Sequence, residues 1–152
     1  QFRYYGEVIT YVGMSAPAAF VTLIAWLKHP YKDTDEVRVS HLTGRKLLIV
    51  ILSSAAVSVA FYFILGALGN ANLLVSTVSV FTSFSACMLL LMRLPYYAIA
   101  YAANDVVLIV LWVMASLENL RYLPMVLCFV MFLINDLYGF YNWKRMRKSQ
   151  TE

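Results

Sequence analysis

The stretch LINDLYGFYNW, residues 133 to 143, closes a long apolar run and carries an aspartate near its middle. About twenty apolar residues are needed to carry a helix across a bilayer. A charged side chain deep within such a helix costs at least ~2.5–3.5 kcal/mol. The anomaly recurs upstream in YAANDVVLIVLW, residues 101 to 112. In both stretches Asn-Asp is followed by a tryptophan seven positions after the acid, Asp105 to Trp112 and Asp136 to Trp143. Fold and function both turn on why two acids sit in segments otherwise suited to lipid.

Working outward, the 152-residue chain is 62% hydrophobic and only 13% charged. That is half the charge of an ordinary soluble domain, about a quarter, and indicates an integral membrane protein. Five segments are long enough to span: about 5–27, 47–69, 73–92, 95–116 and 122–143. They are continuously apolar rather than alternating, so helices are expected and not barrel strands. The expected class is therefore all-α integral membrane, with five transmembrane helices. The chain opens on Gln1 and enters an apolar segment without a basic leader, which fits a signal peptide poorly. A fragment lacking its upstream part is the expectation.

The basic residues are unevenly placed. Lys28, Lys32, Arg38, Arg45 and Lys46 lie in the 28–46 connector, Arg93 in the turn before the fourth span, and Lys144, Arg145, Arg147 and Lys148 after the fifth. If the spans alternate in direction, ten of the twelve Lys and Arg fall on one side, leaving Arg3 and Arg121 opposite. The positive-inside rule then places the N-terminus outside and the C-terminus in the cytoplasm. The net charge of +4 is thereby topological, and no nucleic-acid partner is indicated. His29 and His41 read as solvated loop residues, and no metal site or cofactor is expected. Cys87 and Cys128 lie in apolar runs and read as small buried hydrophobes. LTGRKLL, residues 42 to 48, lacks the glycine spacing of a phosphate loop. No Ser-His-Asp or Cys-His arrangement points to an enzyme.

At ~100° per residue, Tyr97, Tyr101, Asn104, Asp105, Leu108 and Trp112 fall within about a third of the fourth helix. Asn135, Asp136, Gly139, Asn142 and Trp143 share one face of the fifth in the same way. Asp105 and Asp136 both lie ~12–15 Å from the cytoplasmic end at 1.5 Å per residue. Two carboxyls at one depth, each flanked by aromatics, fit a ligand path better than incidental packing groups. A weaker stripe, Glu7, Tyr11, Ser15 and Thr22, runs along the first span, with Pro17 as a local kink. The Ser- and Thr-rich third span, STVSVFTSFSAC at 76–87, reads as a surface for close helix packing.

At DLYGFYNWKR, residues 136 to 145, the sequence resembles the PnuC family of bacterial vitamin transporters. The resemblance is carried by Asp136, Tyr138-Gly139 and Trp143, with Arg93 and the Asp105 to Trp112 segment in support. It implies a seven-helix plan of two parallel three-helix repeats joined by one helix, related to the SWEET transporters. On that plan 1–28 is the last helix of the first repeat, with two helices missing upstream. The cytoplasmic loop is 29–46, the linker helix 47–70, the second repeat 71–143 and the cytoplasmic tail 144–152. AWLKH at 25–29 and NWKRM at 142–146 end equivalent helices on this mapping. Where the family usually shows Trp-x-x-Trp, this chain has Ala98 and Tyr101, so ring stacking shifts to tyrosine. Asp105 and Asp136 stand where family members often have Asn.

The resemblance implies a multi-pass inner-membrane transporter, not an enzyme, that carries nicotinamide riboside by facilitated diffusion with phosphorylation trapping it in the cytoplasm. A homotrimer is implied as well. The implied site is Tyr97, Tyr101, Asn104, Asp105, Asn135, Asp136, Gly139 and Trp143, with Gly139 allowing close approach. Arg93 is assigned to fixing a helix end. The pyridinium of nicotinamide riboside is a fixed cation, which aromatic faces and carboxylates both attract. Thiamine is also cationic, whereas riboflavin is neutral and gives less reason for two acids. Proton-coupled transport is a rival mechanism. An intramembrane aspartyl protease is a remote one, because its Gly-x-Gly-Asp motif is absent.

Overall fold

A computed structural model describes residues 10–31, 37–70 and 72–150. Its helices are α1 (Ala16–Leu27), α2 (Gly44–Ala67), α3 (Leu73–Leu91), α4 (Tyr97–Glu118) and α5 (Leu123–Ser149). A π-wound turn, Thr10–Ser15, leads into α1, and a 3₁₀ turn, Leu120–Tyr122, leads into α5. Helices α2, α3 and α4 and the stretch Leu120–Ser149 are each long and apolar enough to cross a membrane, and α1 is a shorter apolar helix. Every expected span thus carries a helix. Arg3, Glu7 and Lys32 lie outside the described residues, as does the side chain of Tyr11.

Two boundaries differ from expectation. The fifth helix does not end at Trp143 but continues to Ser149, through most of the segment expected as a tail. Arg147 and Lys148 occupy its last turn, where cations are favoured by the negative end of the helix dipole. Pro17, expected as a kink within a helix, sits in the first turn of α1, where its missing N–H removes no bond. The backbone irregularity lies just upstream, in the π-wound turn.

Helix α3 is the hub: it packs against α1, the π turn, α2 and α4, while α5 packs on α4. Small side chains allow this crowding. Ser54 is wholly buried in α2, and Ser85 of α3 donates a 2.8 Å hydrogen bond to its hydroxyl. Two apolar clusters bracket the middle of the bundle. Leu108, Leu111, Trp112, Ala115 and Phe129 fill one end, and Val50, Leu89 and Leu94, with Tyr97 and Ala100 against them, fill the basic end. Large apolar residues such as Phe63, Leu127 and Met131 face outward, as a lipid-facing surface requires.

Two helices end in the same way with different residues. After α2, Asn70 N–H bonds Leu65 O and Gly69 N–H bonds Gly66 O, with Gly69 at φ 63°. After α3, Leu94 N–H bonds Leu89 O and Arg93 N–H bonds Leu90 O, with Arg93 at φ 58°. Both are Schellman caps, whose left-handed residue is usually glycine. A side chain there costs about 1–2 kcal/mol.

Candidate functional site

Between the two apolar clusters lies a cleft of about 240 Å³. Its walls are Ser15 from the π turn, Ser83 from α3, Tyr101, Asn104 and Asp105 from α4, and Phe129, Phe132 and Asp136 from α5. The two aspartates therefore do meet across one space. Asp105 is only 5% exposed, and its Oδ2 is buried with no hydrogen-bond partner among the described residues. Buried oxygens are rarely left so, and this one belongs to a residue of the cleft wall.

Asn104 is held from behind. Its Oδ1 accepts from Thr82 Oγ1 at 2.8 Å and Ser79 Oγ at 3.2 Å, both on α3. The hydroxyls read as packing groups thus also orient a residue of the cleft wall. Tyr101 is steadied by a 3.1 Å contact between its hydroxyl and Cys87 Sγ.

A row of aromatic rings runs from the cleft toward the basic end. Tyr101 meets Tyr97 edge-on at 6.1 Å, and Tyr97 meets Trp143 edge-on at 5.3 Å. Trp143 in turn lies 5.4 Å from Trp26, whose Nε1 donates to Leu90 O at 3.2 Å. The tryptophans that end AWLKH and NWKRM are therefore in contact. Edge and face contacts at these separations are favourable for aromatic pairs, and they leave Trp143 buried.

Of the eight expected site residues, Tyr101, Asn104, Asp105 and Asp136 line the cleft, and Tyr97 and Trp143 form the row beside it. Asn135 and Gly139 are not brought there. Asn135 is exposed on α5, and Gly139 has open space around the position a Cβ would take. The cause is the number of neighbours. Helix α4 lies between α3 and α5, so adjacent residues on two of its faces are covered. Helix α5 packs chiefly on α4, so turning Asp136 inward turns its neighbour out. Trp112, on the expected stripe, instead joins the apolar core and packs on Tyr122 at 5.7 Å. Phe129 and Phe132 were not foreseen. Their spacing of seven and four residues from Asp136 puts all three on one helical face, and extending the stripe backward would have found them.

Comparison with known proteins decides the lineage. Residues 1–145 match the family described as nicotinamide mononucleotide transporter. The chain belongs to that family. The resemblance to PnuC transporters is borne out by a relative in Neisseria mucosa named nicotinamide riboside transporter PnuC, 30% identical over 155 aligned residues. That alignment takes in 99% of this chain and 59% of the relative. A solved structure, described as the crystal structure of the vitamin B3 transporter PnuC, superposes with a TM-score of 0.78 at 29% identity. It covers 96% of this chain and 64% of that one. The chain thus spans about three fifths of the length of these family members, and its all-helical membrane fold is theirs.

Proposed function

We propose that this chain forms part of a transporter that takes up nicotinamide riboside across the bacterial inner membrane. The observation that carries the reading is the cleft itself, with two carboxyls facing one space and aromatic rings at its edge. A desolvated cation over an aromatic face gains ~2 kcal/mol or more, and Asp105 and Asp136 supply counter-charge to a pyridinium. With the Asn104 oxygen occupied by two hydroxyls, its NH2 is the end left to donate to a ribose hydroxyl or carboxamide oxygen. The names of the relatives, which specify nicotinamide riboside and vitamin B3, agree with this chemistry.

The site residues we assign are Tyr101, Asn104, Asp105 and Asp136, with Tyr97 and Trp143 along the path to the basic end. That end faces the cytoplasm by the positive-inside rule, so the row of rings lies on the inward route. No energy coupling is needed if phosphorylation removes the substrate inside, and uptake should then ignore an imposed pH gradient. Assembly as a homotrimer is proposed on the family resemblance, and native mass spectrometry of the purified protein tests it. The protease alternative loses its footing in a family of transporters.

Calorimetric titration with nicotinamide riboside, thiamine and riboflavin tests the reading. Saturable heat with the riboside and none with riboflavin is expected. Heat with thiamine alone would keep the cation site and replace the substrate. No heat with either cation would return the two aspartates to a packing role.

A further inference from the structure

A second cavity, of about 350 Å³, opens at the basic end of the bundle. Its lining includes Arg38, Lys46 and Arg93 with His29 and His41, and no carboxylate among the described residues. The positive-inside bias accounts for basic residues at this end. It does not account for their convergence on one walled space.

The walls are built from distant parts of the chain. Pro30 and Val37 pair as a short bridge, and Arg38 N–H donates to His29 O at 3.1 Å. Ser40 N–H bonds the carbonyl of Arg93 itself at 3.0 Å, fastening the connector to the α3–α4 turn. Lys46 Nζ donates to Ser40 Oγ and to His41 O, tying the same segment to α2. From the end of α5, the Gln150 amide donates to Val37 O at 3.1 Å and accepts from Val39 N–H at 3.0 Å. A smaller adjoining cleft of about 150 Å³ shares Arg38 and His41 and adds Arg147.

Arg93 supplies the independent observation. It occupies the left-handed position of its helix cap, which the otherwise equivalent cap after α2 gives to Gly69. A strained residue held where glycine is the ordinary choice calls for a use of its side chain. Arg93 lines a cavity that also meets Thr43, the N-cap of α2, where the helix dipole adds positive potential. Guanidinium and ammonium groups around a helix N-terminus recognise phosphate.

We propose that this cavity binds a phosphate-bearing anion through Arg38, Lys46 and Arg93. Two sources present that chemistry at a membrane surface: the headgroup of an anionic phospholipid and a soluble organic phosphate. The site is separate from the transmembrane cleft and does not depend on the identity of the transported vitamin.

The test uses the purified protein in nanodiscs of phosphatidylcholine, with pyrophosphate as the soluble probe and discs containing phosphatidylglycerol as the lipid probe. A saturable rise in Tm of roughly 5 °C is expected at a hundredfold excess over Kd. If pyrophosphate acts equally in both discs, the ligand is soluble. If phosphatidylglycerol raises Tm and removes the pyrophosphate effect, the ligand is a headgroup. Arg93→Gly should abolish either shift while leaving the unliganded Tm equal or higher, since glycine relieves the cap. A shift that survives in Arg93→Gly, or is matched by sodium chloride at equal ionic strength, overturns the proposal. So does the absence of any shift with both probes, the result expected if Asp33, Asp35 or Glu36 of the same connector already supplies the counter-charge.

Discussion

The two Asn-Asp pairs look alike in sequence and differ in the fold. Asn104 and Asp105 are both buried, at 5% exposure each, whereas at 135–136 only the aspartate reaches the cleft and Asn135 is exposed. The first pair sits on a helix covered by α3 and α5, the second on a helix packed chiefly on α4. The same dipeptide therefore supplies a cleft-lining amide in one helix and an outward one in the other. Among the described residues, neighbours and not residue type decide which polar groups are buried.

The largest effect should come from the acids. Asp105→Asn and Asp136→Asn each remove a charge from the cleft, where a charge-assisted interaction contributes about 1.5–3 kcal/mol. Nicotinamide riboside affinity should fall about 10- to 100-fold in each, read by calorimetry. The loss should be greater for the more deeply buried Asp105, while folding, followed by Tm, is retained. A larger loss at Asp136 would reverse the ranking and make the α5 side the tighter wall.

Asn104 should matter next, and in a different measurement. Asn104→Ala strips an acceptor from Ser79 and Thr82, but Thr82 also has the carbonyls of Val78 and Ser79 within 3.0 and 3.1 Å. That fallback limits the cost to about 1–2 kcal/mol of stability, a Tm lowered by several degrees, with weakened substrate binding alongside. An unchanged Tm would mean that the α3 hydroxyls do not hold Asn104 in place.

Much of this was legible in the sequence, and for identifiable reasons. Run length alone gave five helices, because bilayer thickness sets their length. Asp105, Asp136, Asn104 and Tyr101 followed from placing each stretch on an isolated helix. An isolated helix says nothing of how many partners it has, so Asn135 and Gly139 could not be told from Asn104. Ser15 reaches the cleft from the π turn, whose backbone no apolar periodicity announces. Trp26 and Trp143 were recognised as matching helix ends, but their contact belongs to packing across the bundle. Arg93 hid its left-handed backbone for a simpler reason: the usual signal for that conformation is glycine, and there is none there.

The smallest effect tests the comparison most directly. Asn135 lies on α5 between Ile134 and Leu137, on a surface where those two residues are 63% and 54% exposed. An amide on that surface gains little from contacts with the described residues. Asn135→Ala should therefore leave nicotinamide riboside affinity within about twofold, and stability within about 0.5 kcal/mol or slightly raised. Calorimetry and a melting curve on the same preparation are enough to check it. A tenfold loss of affinity would place Asn135 on a ligand-facing wall after all. The two pairs would then be equivalent in use as they are in sequence, and the number of packed neighbours would no longer explain which polar groups serve the site.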